Sequence, residues 1–385
     1  MMHRTQRLLA TGAAAALQIP VMVVTAAPAA ADPVQPDCDT IWQRTGSGFY
    51  EDNPTYTETW DDSGDWQFAT PAQAGLDGDL LDDGVDGLFA NDSLLSVIVL
   101  RHGELVYERY DNGGGQFQSN AIHSASKSML QALVGIAIED GDIGDLDDKA
   151  SWYLPQQFSG QSSAKKNIRI GQLLDMTSGL NWTEDQTEYS IENKADWVKA
   201  IVNRSLWYTP GTEFNYSTGN THVLSAVLED ATGMSTCEYA QAKLFGPMNI
   251  TPEHWGRDPQ GINSGGYNVS MTARELAKFG QLYLQDGYWN GQQLVPSYTV
   301  AEASTPLHDD GDGFWYDSGW WSRTISGVDM HFAWGWGGQF LYVIPELDLV
   351  FSTTQNTNVN HTNVEINSGD FIRDYLLPAI EDTGC

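Results

Sequence analysis

The sequence is poor in cysteine and in positive charge, and it has no long apolar run beyond its N-terminal segment. Its 385 residues include three cysteines and 19 lysines and arginines, against 51 aspartates and glutamates. Such an acidic surface repels nucleic acid and anionic membranes. A membrane-spanning helix needs about 18 or more consecutive apolar residues, and none follows the N-terminal segment. We therefore expect no nucleic acid partner and no membrane anchor; the kind of substrate has to be read from the motifs below.

The first 31 residues have the pattern of a secretory signal peptide. Arg4 and Arg7 form a charged start, Leu8 to Thr25 is mostly apolar, and small residues at 29–31 precede Asp32. This pattern predicts cleavage after Ala31 and a secreted or periplasmic protein. Loss of Arg4 and Arg7 leaves 17 basic against 51 acidic residues, a net charge of −34.

The three cysteines fit an oxidising compartment with one disulfide and one cysteine left over. Cys237 lies in a helix-like segment, where a thiol behaves as a small apolar group. Cys38 and Cys385 lie in terminal segments, and chain termini often meet at a domain surface. These observations predict the pair Cys38 and Cys385.

No metal or other cofactor is predicted. The acidic clusters at 139–142, 145–148 and 309–312 lack the twelve-residue EF-hand pattern, which favours solvated turns over calcium loops. The histidines show none of the helical spacings typical of zinc hydrolases. We interpret them as surface or core residues.

The pattern of apolar and turn residues predicts one main domain of mixed α and β structure. Residues 32–94 form an extension packed on this domain, and residues 95–385 form the domain itself, with a mostly helical region at about 142–320. Strands at both ends of the domain, with helices inserted between them, predict one sheet and a cleft between sheet and helical region. The predicted strands are 96–100, 104–110, 340–343 and 348–353, and a closing helix is predicted at 370–380.

A serine and a lysine three residues apart stand at the head of the most apolar predicted helix. Residues at i and i+3 share a helix face, and a helix start favours developing negative charge, so Ser124 and Lys127 have the arrangement of a serine hydrolase. The same spacing occurs from Ser162 and from Ser163, but both lie in a polar loop. The alternative is an ordinary capping serine followed by a lysine whose charged end reaches solvent.

Four segments in order resemble the class C β-lactamase-related serine hydrolases, from about residue 95 to the C-terminus. This family includes class C β-lactamases, DD-peptidases, family VIII esterases, D-aminopeptidases and 6-aminohexanoate-dimer hydrolases. The resemblance implies an α+β fold in which helices flank an antiparallel sheet, with the active site between the sheet and the helical region. The matching segments are 124–141, 170–180, 210–221 and 334–339.

The resemblance also implies roles for individual residues. Ser124 matches the nucleophile and Lys127 the lysine of the S-x-x-K motif, while Tyr216 would relay protons between the serine and the leaving group. Tyr216 could instead be a core residue beside Phe214. The backbone N–H groups of Ser124 and Gln339 match the oxyanion hole. Four further residues are expected to contact substrate: Trp336, Gly337, Gly338 and Asn220.

Departures from the β-lactamase motifs bear on the substrate. The Y-x-N motif is replaced by Tyr216-Ser217-Thr218, with an asparagine only at position 220, and the lysine-threonine-glycine motif is replaced by Trp336-Gly337-Gly338. No lysine follows Lys278, so the cation expected to bind a β-lactam carboxylate is missing, unless Arg323 or Arg373 replaces it. These departures resemble the family VIII esterases and the 6-aminohexanoate-dimer hydrolases.

The resulting hypothesis is an exported serine hydrolase that cleaves a carboxylic ester or simple amide through an acyl-enzyme. One alternative is a β-lactamase or DD-peptidase. A second is a non-catalytic binding protein with the same fold, although a binding cleft needs no serine, lysine and tyrosine together.

Overall fold

The structure is a computed structural model that describes residues 36–41, 66–184, 186–357 and 366–381. The predicted signal peptide and Cys385 lie outside these ranges. The fold is α+β, as predicted. The described strands are β1 Gln67–Phe68, β2 Leu94–Arg101, β3 Glu104–Tyr110, β4 Ser119–Ala121, β5 His254–Trp255, β6 Val269–Thr272, β7 Tyr288–Trp289, β8 Gln292–Gln293, β9 His308–Asp309, β10 Trp315–Asp317, β11 Trp320–Ile325, β12 Val328–Gly335, β13 Gln339–Ile344 and β14 Leu349–Gln355.

The helices lie mainly between β4 and β9, and short 3-10 or π-helical turns join several of them. No helix of the described ranges is long and apolar enough to cross a membrane. The described α-helices are α1 Gly78–Phe89, α2 Ser126–Asp140, α3 Ala150–Tyr153, α4 Ser163–Lys166, α5 Ile170–Leu174, α6 Gln186–Glu192, α7 Trp197–Asn203, α8 Thr218–Thr232, α9 Thr236–Ala240, α10 Ala273–Leu284, α11 Ser297–Ala303 and α12 Ser368–Phe371.

One nine-stranded sheet forms the centre of the molecule, in the order β1-β3-β2-β14-β13-β12-β11-β10-β9. Neighbouring strands are antiparallel, except that β1 pairs with β3 in parallel. The predicted hairpins are confirmed, because β2 pairs with β3 and β13 with β14. Strands from both ends of the chain meet in the middle of the sheet, where β2 pairs with β14.

Both faces of the sheet are buried, which explains the continuous apolar run of β2. Successive side chains of a strand point to opposite faces. Ile98 and Leu100 join a core with α2, α8 and α10, whereas Val97 and Val99 join a second core with α1 and α12. The first core lies on the side of the helical region and positions the start of α2.

Two parts of the organisation differ from the prediction. Residues 78–89, placed in an extension of little periodicity, form helix α1, whose side chains Leu81, Val85 and Phe89 are buried in the second core. In addition, β9 and β10 add strands to the sheet within the region predicted to be mostly helical up to residue 320.

The predicted disulfide is wrong. Cys38 is bonded to Cys237, with their Cα atoms 5.6 Å apart, and the bond ties the N-terminal segment to α9. Cys237 is therefore not a free core thiol, although it is buried as expected. The pairing follows from backbone contacts, because Asp37 forms a bridge with His254 beside the core that holds α9.

Candidate active site

Ser124 lies at the start of the buried helix α2, on a short 3-10 turn that covers residues 123–125. Helix α2 then runs to Asp140 and ends at Gly141, which has the left-handed conformation expected of a C-terminal glycine. Nearly all of its side chains are buried, whereas Ser124 remains partly exposed. The serine hydroxyl is thus held at the edge of a rigid element, within reach of a ligand.

Lys127 lies one turn further on and is buried, with 1% of its surface exposed. Its Nζ donates hydrogen bonds to Ser124 Oγ at 2.8 Å and to the Gly266 carbonyl at 3.0 Å. A side chain at Gly266 would place its Cβ only 3.0 Å from Lys127 Nζ, so the glycine permits this approach. The preceding Gly265 packs so closely on α8 that a Cβ there would lie 1.9 Å from the Thr221 carbonyl oxygen.

Tyr216 completes the group of polar side chains around Ser124. It stands just before α8, and its ring centroid lies 5.1 Å from Lys127 Nζ. The rings of Tyr316 and Trp321 pack on it with centroids 5.7 and 5.6 Å away. Burial raises the pKa of the Tyr216 phenol, while the positive charge of Lys127 and hydrogen bonds with Ser124 and Lys127 act in the opposite direction. A phenol with this environment stays protonated at rest and can pass its proton on.

The three predicted catalytic residues therefore meet at one point. Ser124 Oγ is hydrogen-bonded to Lys127, and Tyr216 contacts both. A nucleophile with a base in hydrogen-bond reach and a second proton-carrying group beside it meets the geometric requirement for acyl transfer. The alternative of an ordinary core tyrosine does not describe Tyr216, because the residue is not fully buried and its ring lies against Lys127.

The turn between β12 and β13 lies beside the nucleophile, as predicted. Gly335, the last residue of β12, packs against the turn that carries Ser124. A Cβ on Gly335 would lie only 2.1 Å from the Ile122 carbonyl oxygen. Trp336 is 40% exposed, and its ring lies 5.6 Å from that of His123. Gly337 and Gly338 both have positive φ, at 77° and 92°. Residues with side chains rarely adopt these angles, so the turn requires glycine.

Gln339 is fully buried, and its side chain fastens β13 to β14. Its Nε2 donates to the Gln355 carbonyl at 2.9 Å, and its Oε1 accepts from the Gln355 N–H at 3.0 Å. These bonds leave its backbone N–H as the group predicted to be an oxyanion donor. Gln339 pairs with Gly335 at the end of the β12–β13 ladder, which places that backbone next to the strand that contacts Ser124. The oxyanion role stays a prediction.

Asn220 does not contact the cleft, contrary to the prediction. It lies in the first turn of α8 and has no exposed surface. Ser178 donates a hydrogen bond to its Oδ1 at 2.7 Å, and its Nδ2 lies 3.7 Å from the Met176 sulfur. Asn220 therefore fixes the segment after α5 instead of binding substrate.

Two contributors near the site were missed by the sequence analysis. The Glu184 carboxylate accepts hydrogen bonds from the Thr218 N–H at 3.0 Å and from the Trp182 indole N–H at 2.5 Å. It thereby fixes the start of α8 behind Tyr216. Gly266 supplies the second acceptor for Lys127. A signal for Gly266 existed, since two adjacent glycines at 265–266 indicate a close backbone approach. Glu184 carried no such signal.

The two arginines considered as replacements for the missing lysine have other contacts. Arg373 is paired with Asp370 and Asp374. Arg323 lies over the Phe314 ring, 4.8 Å from its centroid, and its guanidinium lies against Gly369 of α12. Among the described residues no group of three or more histidine, cysteine or acidic side chains is arranged to hold a metal ion.

Comparison with known proteins relates this site to a family. The model of the Beta-lactamase family matches residues 92–369. The 6-aminohexanoate-dimer hydrolase of Paenarthrobacter ureafaciens is 27% identical over 289 residues, which are 66% of this chain and 70% of that protein. A Bacillus anthracis structure provisionally named as a 6-aminohexanoate-dimer hydrolase has a TM-score of 0.66 at 22% identity, over 77% of this chain and 81% of that one.

The structure of EstCE1, a hydrolase with promiscuous acyltransferase activity, has a TM-score of 0.61 at 17% identity, over 77% of this chain and 97% of that one. These structural matches show the same fold, and the family match spans both Ser124 and the turn at 336–339. The chain belongs to the Beta-lactamase family and is a serine hydrolase.

Proposed function

We propose that the protein hydrolyses a carboxylic ester or a simple amide through an acyl-enzyme on Ser124. The observation that carries this proposal is the convergence of Ser124, Lys127 and Tyr216, with Lys127 Nζ 2.8 Å from Ser124 Oγ. The names of two relatives agree with such chemistry, since one is a 6-aminohexanoate-dimer hydrolase and the other a hydrolase with promiscuous acyltransferase activity.

The first half of the reaction forms the acyl-enzyme. Ser124 Oγ attacks the carbonyl carbon of the substrate, and its proton passes to Lys127, which acts as a neutral amine in this step. The reactive form of the Lys127–Tyr216 pair therefore carries an uncharged lysine beside the protonated phenol, and the pair has room for one more proton. The negative charge collects on the carbonyl oxygen, for which the N–H groups of Ser124 and Gln339 are the proposed donors. When the carbonyl re-forms, the bond to the leaving group breaks, and the departing alcohol or amine takes the proton through Tyr216.

The second half repeats these steps with water. Water adds to the acyl carbon and gives a proton to the same pair, and the bond to Ser124 Oγ then breaks as the serine recovers its proton. The acid product leaves. Each proton that enters the Lys127–Tyr216 pair leaves it again, so no external acid or base is needed.

Esters and simple amides are favoured over β-lactams by the surroundings of Ser124. Antibiotic β-lactams carry a carboxylate, but the turn next to the nucleophile has Trp336 and two glycines where β-lactamases have a lysine motif. Arg323 and Arg373 are held by contacts with other residues. The half-exposed Trp336 and the rings around Tyr216 offer an apolar wall to a neutral acyl group.

A substrate panel tests this proposal. We expect a short-chain nitrophenyl ester to have a kcat/KM at least about tenfold above that of a chromogenic cephalosporin, because a charge-assisted contact contributes about 1.5 to 3 kcal/mol. A linear amide dimer is the third substrate. Trp336→Ala should lower ester turnover, whereas Trp152→Ala, a change of another exposed tryptophan, should not. Equal hydrolysis of cephalosporin and ester would favour the β-lactamase alternative.

We also propose that the protein is exported. The basic and apolar pattern of residues 1–31 supports export, with cleavage after Ala31. The bond between Cys38 and Cys237 is of the kind that persists in oxidising compartments. N-terminal sequencing of the protein recovered from culture medium or periplasm tests this, and a start at Met1 would contradict it.

A further inference from the structure

A second cavity, of about 660 Å³, opens at the opposite end of the sheet from Ser124. The Leu94 end of β2 is the end near Ser124. Leu94 pairs with Gln355, and two residues later the Thr357 hydroxyl is hydrogen-bonded to His123, the neighbour of Ser124, at 2.9 Å. The cavity instead reaches Gly103, in the turn after β2. At about 3.3 Å per residue, the seven steps from Leu94 to Arg101 span roughly 23 Å. The cavity is therefore separate from the catalytic cleft.

The lining of this cavity combines amide and aromatic side chains and contains no acidic or basic residue. In a chain with 51 acidic and 19 basic residues, such a lining selects an uncharged ligand. An amide side chain both donates and accepts hydrogen bonds, as a sugar hydroxyl does. The lining residues with these groups are Trp66, Gln67, Asn249, Gln281, Gln285, Tyr288, Trp289 and Asn290.

Gln281 places a buried amide in the wall of this cavity. Only 4% of its surface is exposed, and its Nε2 lies on the side of Gly103, 3.9 Å from the position of a Cβ built on that glycine. An amide N–H at this wall can donate a hydrogen bond to a hydroxyl oxygen in the cavity. Gln281 lies on the last turns of α10, so its position is set by the packed core and not by a loop.

A hairpin turn and a hydrogen bond hold the cavity walls in place before any ligand binds. The hairpin of β7 and β8 turns at Asn290 and Gly291, which both have positive φ, and it presents Trp289 at the cavity. On the other side, Lys278 Nζ binds the Asn249 carbonyl at 2.9 Å and lies 5.9 Å from the centroid of the Trp66 ring. Walls held in this way lose little conformational entropy when a ligand binds.

We propose that this cavity binds a neutral oligosaccharide. The aromatic rings pack on the C–H faces of sugar rings, and the amides of the lining bind the hydroxyl groups. The site would hold the enzyme on a carbohydrate while Ser124 acts on an acyl group elsewhere in the molecule.

The test is calorimetric titration of the full chain with four hexasaccharides: maltohexaose, cellohexaose, xylohexaose and chitohexaose. We expect saturable binding of at least one of them, weakened about tenfold or more by Trp289→Ala and by Gln285→Ala. Both substitutions replace side chains that are partly or fully exposed, so the fold should persist. Ester turnover should be unchanged, and Trp152→Ala, at an exposed tryptophan outside the cavity, should leave binding unchanged.

Two results would overturn the proposal. In the first, none of the four hexasaccharides binds saturably. In the second, a hexasaccharide binds, but Trp336→Ala in the catalytic cleft removes the binding and Trp289→Ala does not. A Gln281→Leu variant adds a further check, because it removes one amide of the lining and should weaken binding as Gln285→Ala does.

Discussion

Lys127 connects the chemistry of the cleft with the packing of the core. Its amine is enclosed, bonded to Ser124 and to the Gly266 carbonyl, and placed beside the Tyr216 ring. The nucleophile and both proton-carrying groups thus depend on two elements, the start of α2 and the residues just before α8. The segment 265–266 joins these elements, because Gly265 packs on Thr221 of α8 and the Gly266 carbonyl accepts from Lys127 of α2.

Replacement of either proton-carrying residue should slow the chemical step. We expect Lys127→Ala and Tyr216→Phe each to lower kcat by about a hundredfold or more and to alter KM little, because both act on proton transfer. Steady-state kinetics with a nitrophenyl ester measures this. If Tyr216→Phe changes only KM, then Tyr216 lines the pocket and carries no proton.

His331 should make the stability of the protein depend on pH. It is buried in β12, its Nε2 has no hydrogen-bond partner among the described residues, and burial lowers its pKa from 6.5 to about 4. Between these values the unfolded chain binds a proton that the folded chain does not. Above about pH 6.5 neither state is protonated at His331, so this residue does not destabilise the fold. As the pH drops from there toward 4, the free energy of unfolding falls by about 3 kcal/mol.

Urea unfolding at pH 7 and at pH 4.5 measures this effect. His331→Phe should flatten the difference between the two pH values, because it removes the group that titrates. His102→Asn, at an exposed turn position with positive φ, is the matched control and should keep the wild-type difference. An unchanged pH dependence in His331→Phe would show that His331 is not responsible.

At the scale of secondary structure elements, α2 and the central hairpins were predictable because local pattern and tertiary environment agree. The apolar run after Ser124 and the Gly141 stop define α2 from sequence alone. Helix α1 was not predicted, since its aspartates and glycines have low helix propensity. The burial of Leu81, Val85 and Phe89, spaced four residues apart, stabilises it in the second core.

The disulfide and Asn220 show what sequence could not supply. Cys237 meets Cys38 because the short β5 and β6 bring the N-terminal segment beside α9, a contact that no local pattern encodes. Asn220 was assigned to substrate by the resemblance of segment 210–221 to the family, yet it faces inward because it belongs to the first turn of α8. The same resemblance placed Tyr216 beside Ser124, since Tyr216 precedes the helix whereas Asn220 lies in it.

Loss of the disulfide should lower stability. We expect Cys38→Ser and Cys237→Ser each to reduce the free energy of unfolding by about 2 to 5 kcal/mol, measured in urea without reductant, because the bond closes a long loop. Cys385→Ser is the control and should unfold as the wild type does. Equal destabilisation by Cys385→Ser would point to the pairing that was first predicted.

For the whole molecule, one sheet holds two sites of different chemistry at its two ends. The cleft at Ser124 has a nucleophile and proton carriers, whereas the cavity at Gly103 has amides and aromatic rings without charge. The acidic surface adds an unfavourable field for anionic substrates, which salt screens. Neutral substrates approach without this penalty. The net charge of the chain, the cleft at Ser124 and the cavity at Gly103 therefore all favour uncharged ligands.

Covalent labelling of Ser124 tests the central claim most directly. The intact protein is treated with a fluorophosphonate, and its mass and modified peptide are then determined. We predict one adduct on Ser124, no adduct in Ser124→Ala, and normal labelling of Ser163→Ala, the serine of another S-x-x-K sequence. A label on a different serine, or undiminished ester hydrolysis by Ser124→Ala, would contradict the account.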